Sequence, residues 1–181
     1  MMNSVNFVMM CTGICLNYKT SYMWGTYGAV ITNDIINAKV KQYPERYKAD
    51  YVKQLRSFVG KGYFGFDCVG MIKGTLWGFR GDLNHKMGGA VYNSNGVPDY
   101  GCDTMFRGCK QISADWRNIV NGEAVWMSGH IGVYIGSGKV AECTAKWGHT
   151  CQITGCANMG NIPGMNMRSW EKHGRLPYVS Y

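Results

Sequence analysis

The sequence predicts an α+β fold, with N-terminal helices packed on a C-terminal antiparallel β-sheet. Three observations predict it. Apolar residues recur at helical spacing as far as Phe79. Apolar and non-apolar residues alternate at strand spacing after Glu123. A Gly-, Asn- and Asp-rich stretch, residues 81–101, lies between them and reads as a long surface excursion. Helices followed by strands make α+β rather than α/β.

In the first helix Val5, Val8, Cys11 and Cys15 share one face, with Ser4 as its N-cap. A second helix starts after Asn33 and stops before Pro44, because a proline disfavours helical geometry in the residue before it. The third carries Tyr47, Tyr51, Leu55 and Phe58 on one face, and Gly60 closes it. The fourth begins at Asp67 and buries Val69, Ile72, Leu76 and Phe79. Asp103 caps a short helix reaching Cys109. Strands are predicted over residues 123–127, 131–135, 140–144, 152–154 and 176–180.

The 181 residues suit one domain, 1–181. With 46% hydrophobic, 13% aromatic and 17% charged residues, the composition excludes disordered, fibrous and membrane-spanning chains. Residues 1–18 carry no charge but include Asn3, Ser4, Asn6, Thr12 and Asn17, which suit no membrane span. Nineteen Lys and Arg against eleven Asp and Glu give +8, which favours polyanions such as an anionic cell wall. The basic residues form no run of five and no stripe interleaved with aromatics, so nucleic acid is not an expected partner. No basic residue precedes the first apolar stretch and no small-x-small site follows it, so no signal peptide is expected. Synthesis in a reducing cytoplasm, with most of the eight cysteines as free thiols, follows. No CxxC pair occurs. Cys151, Cys156 and His149 form the one weak cluster, so neither a metal nor a cofactor is expected.

Two segments carry chemistry. In Phe66-Asp67-Cys68-Val69-Gly70, Cys68 falls in the first turn of a helix. Unpaired backbone N–H groups and the positive dipole end favour a thiolate there, and Gly70 permits close approach of another segment. A cysteine in an apolar helix is by itself more often core than catalytic. In Gly129-His130-Ile131-Gly132-Val133-Tyr134-Ile135-Gly136, the apolar face is Ile131, Val133 and Ile135. His130 faces the other way beside Gly132, which has no side chain to obstruct a ligand. Glu142 shares the His130 face if Gly136-Ser137-Gly138 is a three-residue loop, since 132 then pairs with 142. A two-residue Ser137-Gly138 turn would put Glu142 on the opposite face.

These segments resemble the NlpC family of cell-wall cysteine peptidases. Asp67-Cys68-Val69-Gly70 is similar to that family's Asp-Cys-Ser-Gly nucleophile motif, and residues 130–136 to its histidine strand. Tyr22-Met23-Trp24-Gly25 is similar to its Tyr-x-Trp-Gly segment, and residues 173–178 to the closing strand of clostridial and phage-borne members. The resemblance implies a papain-like core and hydrolysis of peptidoglycan stem peptides, typically between D-γ-glutamyl and a diamino acid. It implies Cys68 as nucleophile, His130 as base and Glu142 as orienter. Asp67 and Tyr22 would bind the stem's free amine, with Trp24, Val69 and Gly132 lining the substrate site. The Cys68 N–H would serve an oxyanion hole. Val69 stands where the family has serine, and Glu142 where His, Asn or Gln is commoner; His149 is the alternative orienter. The implied protein is a lysin, expected as a monomer, acting on the wall after release, injection or as part of a phage particle. An amidase or acyltransferase on the same core, and a catalytically dead wall-binding module, are the competing readings.

Overall fold

A computed structural model describes residues 1–181. Its centre is the helix α4 (Cys68–Leu76), all nine residues of which are buried. Asp67 caps it by accepting from the Gly70 N–H at 2.6 Å, as its sequence predicted. The helix follows directly on β4 (Phe64–Phe66), the middle strand of a three-stranded sheet with β2 (Thr20–Tyr22) and β3 (Tyr27–Val30). The sequence reading missed this sheet. Its strands are three or four residues long and too short to show a period, so their pairing decides them.

Gly70 and Gly74 set how close α4 sits to that sheet. A Cβ on Gly70 would lie 1.9 Å from the Thr26 carbonyl oxygen, and one on Gly74 2.4 Å from that of Tyr27. Backbone therefore touches backbone along one face of the helix, the close approach expected of Gly70.

The larger sheet has seven strands in the order β10-β9-β8-β7-β6-β11-β5. These are β5 (Lys110–Ser113), β6 (Ala124–Met127), β7 (His130–Gly136), β8 (Lys139–Thr144), β9 (Thr150–Cys156), β10 (Met167–Arg168) and β11 (Lys172–Arg175). Pairing is antiparallel throughout except between β10 and β9. Of the strand predicted over 176–180 only Val179–Ser180 forms, as β12, which pairs in parallel with β1 (Met2–Asn3); β11 ends before it, at Arg175.

Helix α1 (Ser4–Asn17) joins α4 against the large sheet, but with a different face from the predicted one. Phe7, Cys11 and Ile14 are buried, whereas Val5 is 67% exposed and Asn3, not Ser4, is the N-cap. The helix is apolar on every side, so spacing leaves several faces equivalent. Burying the Phe7 ring, the largest apolar surface available, selects one. Helices α2 (Asn33–Gln42) and α3 (Ala49–Arg56) form a smaller core with Met23, Ile35, Ile36 and Leu55. Tyr47 and Phe58 flank α3 rather than belonging to it. Residues 81–100 contain no helix or strand, as expected. The helix predicted from Asp103 is α5 (Cys102–Arg107), capped by Gly101; Asp103 lies in its first turn. No helix is long and apolar enough to cross a membrane.

Candidate active site

Cys68 opens α4, is 5% exposed, and lies against two groups: the Cys102 thiol at the start of α5, and the backbone N–H of Ile131. The second contact places it beside the residue that follows His130. No hydrogen bond joins the thiol to the imidazole itself. The surroundings of Cys68 oppose the thiolate that a helix terminus favours. The neighbouring Cys102 thiol pushes the Cys68 thiol well above its ordinary range, burial adds to this, and the Asp67 charge adds further. The Ile131 N–H opposes the shift without cancelling it.

His130 begins β7, and its Nε2 is 2.6 Å from Glu142 Oε2. The hairpin geometry that makes this contact combines the two alternatives read from the sequence. Gly136 pairs with Lys139, leaving Ser137-Gly138 as a two-residue loop with φ of +52° and +69°. A bulge between Tyr134 and Gly136 then shifts the register by one, so Val133 faces Ala141 and Tyr134 faces Val140. Continued one step, that register sets Gly132 opposite Glu142. The two-residue turn alone would have sent Glu142 to the other face; the bulge returns it to the His130 side.

Glu142 is fully buried and every acceptor position on its carboxylate is used. Thr154 Oγ1 donates to Oε1 at 2.6 Å, and Arg168 Nε reaches Oε1 at 3.0 Å and Oε2 at 2.9 Å. Burial raises the carboxyl, but the hydrogen bonds and charges of His130 and Arg168 outweigh it and hold Glu142 below the usual carboxylate range. The Trp170 ring stacks on His130 at 5.5 Å and 11°. A Cβ on Gly132 would lie 2.7 Å from Val140 Cγ1 and 3.2 Å from Trp170. Gly132 thus makes room for the tryptophan that holds the imidazole, and not for a ligand.

The remaining predicted residues divide. Asp67, Val69 and Trp24 line a cleft of about 710 Å³ that opens beside Cys68. Asp67 already accepts from Gly70 N–H and, at 2.7 Å, from Gly25 N–H, while Trp24 carries the Arg46 guanidinium 4.2 Å from its ring centre. Tyr22 is half-buried; burial pushes its phenol up, and Cys68 and Asp67 act on it in the same direction. His149 does not reach His130. Its ring lies 6.1 Å from that of Tyr51, and its carbonyl accepts from the Tyr22 N–H at 2.7 Å. Cys151 and Cys156 are an odd number of residues apart on β9 and enter different cores, so they do not converge with His149.

Sequence reading missed Arg168, Trp170, Thr154, Cys102 and Asp103. Asp103 accepts from Trp126 Nε1 at 2.8 Å and from Gly129 N–H at 3.0 Å, which fixes the turn entering His130. None of these carries a local motif, and only the pairing of β8, β9 and β10 brings Thr154 and Arg168 to Glu142. His173, within the predicted closing motif, belongs to a separate buried pair with Glu123 at 2.5 Å, with Arg175 on the same carboxylate at 3.2 Å.

No family model and no curated protein matches the chain. Among solved structures it is similar to the peptidoglycan hydrolase RipB from Mycobacterium tuberculosis. The match is 15% identical, covers 99% of this chain and 68% of that one, and has a TM-score of 0.50. At that identity the likeness is one of fold: helices packed against a β-sheet, shared over nearly the whole of this chain.

Proposed function

We propose that the chain is a peptidoglycan hydrolase of the NlpC type, a cysteine endopeptidase cleaving stem peptides. The observation that carries this reading is the His130–Glu142 contact at 2.6 Å, beside a cysteine on the first turn of α4. The fold likeness to RipB is consistent with it. With Nε2 held by Glu142, Nδ1 of His130 is the atom left to take the Cys68 proton. The thiolate then attacks the scissile carbonyl carbon, and the oxyanion is met by the Cys68 backbone N–H. Imidazolium protonates the departing amine, leaving a thioester. Water, deprotonated by His130, releases the acid and restores the thiol. Asp67 in the cleft suits a cationic amine of the stem peptide.

The test is digestion of purified peptidoglycan followed by identification of the new amino terminus. A free amine on the diamino acid supports the D-γ-glutamyl endopeptidase. One on L-alanine makes the chain an amidase, and no new amine under reducing conditions overturns hydrolysis altogether.

Glu142→Gln tests the orienter. Hydrolysis falls on the order of tenfold to a thousandfold, less than on loss of nucleophile or base, because the side chain acts through His130. Removing an anion also makes the Cys68–His130 pair easier to deprotonate, so the acid limb of the rate profile moves to lower pH. An unaltered rate and profile would exclude Glu142 from the mechanism.

A further inference from the structure

The position of Arg168 is the strongest feature that the catalytic reading leaves unused. Its side chain is 11% exposed, and β10 carries it to the edge of β9. Nε touches both oxygens of Glu142, and a terminal nitrogen donates to Thr144 Oγ1 at 3.1 Å. The guanidinium lies 4.8 Å from the Trp147 ring centre and 5.5 Å from that of Trp170, the same tryptophan that stacks on His130. One cation is thus held by the carboxylate that holds the imidazole and by the indole that holds the imidazole. Planar guanidinium suits this stacked, forked site, whereas a lysine would supply charge without the geometry.

We propose that Arg168 is a positioning residue of the candidate site: it holds Glu142 and compensates its charge, and through that carboxylate and Trp170 it sets the placement of the His130 ring and the pH at which Cys68 reacts. This rests on the reading of Cys68 and His130 as nucleophile and base. A buried carboxylate with no cationic partner is costly, and its uncompensated charge makes every nearby proton harder to remove. With Arg168 in place, the carboxylate that orients the ring is itself fixed and its charge is compensated. The other ionisable groups around the pair act from further off. Cys68, Cys102 and Asp103 lie on the α4–α5 side, Asp103 being bound to Gly129 N–H. Glu171 accepts from Ser128 N–H at 3.2 Å, Cys15 lies under β8, and Lys146 stacks on Trp147. None of these six hydrogen-bonds the His130 ring or the Glu142 carboxylate.

The test reads Cys68 directly and needs no wall substrate. The rate of Cys68 alkylation by iodoacetamide is followed against pH by peptide mass spectrometry, which separates Cys68 from the other seven cysteines. In Arg168→Gln the rise in rate moves to higher pH by about one unit, because any proton is harder to remove once a nearby cation is gone. Arg168→Lys keeps the charge and moves the rise by less. The double variant Glu142→Gln/Arg168→Gln leaves no lone buried charge, and so covers the case in which Arg168→Gln does not fold. Its rise lies above that of Glu142→Gln alone. A rise unmoved by loss of Arg168 in either background, or moved as far by Lys as by Gln, overturns the proposal. A separate comparison guards the reading beneath it: if His130→Ala leaves the alkylation profile of Cys68 unchanged, it is the Cys68–His130 pair that fails, whatever Arg168 does.

Discussion

Cys68→Ala abolishes hydrolysis of purified peptidoglycan, a loss on the order of ten thousandfold or more, while the variant keeps the parent's circular dichroism and melting temperature. Orientation of the base is worthless without the sulfur it serves, and Cys68→Ala/Cys102→Ala is the control for the second thiol that lines the cleft. The fold is spared because alanine keeps the Cβ and α4 is held by its other eight buried residues. Cys68→Ser gives the same result, since a hydroxyl is a far poorer nucleophile in an environment that already raises the thiol. Retained hydrolysis by purified Cys68→Ala would sink the mechanism.

Gly70→Ala is expected to cost the most stability of any single methyl added to this chain's helices. The new Cβ would stand 1.9 Å from the Thr26 oxygen and 2.8 Å from Asp67 Oδ1. The first of these is backbone and cannot rotate aside, so α4 must shift away from the turn that precedes β3. Overpacking ordinarily costs about 1–3 kcal/mol, and a backbone clash belongs at or above the top of that range. For a chain of this size, melting falls by roughly 6–12 °C. Gly108→Ala is the control: its Cβ would find nothing nearer than the Met105 oxygen at 3.4 Å, and its φ of −80° suits any residue. A Gly70→Ala protein melting within two or three degrees of the Gly108→Ala control would show that the close approach of α4 is dispensable.

The sequence alone determined the local features whose cause is local. Asp67 caps the helix it precedes because a carboxylate two to three residues from unpaired N–H groups has few better partners. The helix stop before Pro44 and the unstructured stretch around residues 81–100 follow from proline and glycine chemistry within a few residues. Alternation in β7 showed that Ile131 and Val133 face the core that α4 completes, because a period of two sends them to one side of the strand. The tertiary structure decided whatever depended on a partner remote in the chain. Which face of α1 is buried was open until the sheet received Phe7, and the short strands β2, β3 and β4 exist only as a set. The sequence left a three-residue loop over residues 136–138 and a two-residue Ser137-Gly138 turn both open, and the bulge beside the turn, set by pairing across β7 and β8, decides that Glu142 meets His130. The helix dipole at Cys68 was legible and its outcome was not, because the Cys102 thiol and burial, both supplied by packing, outweigh it. Arg168 lies 26 residues beyond Glu142 with no motif around it, and only the parallel pairing of β10 with β9 brings its charge to the carboxylate.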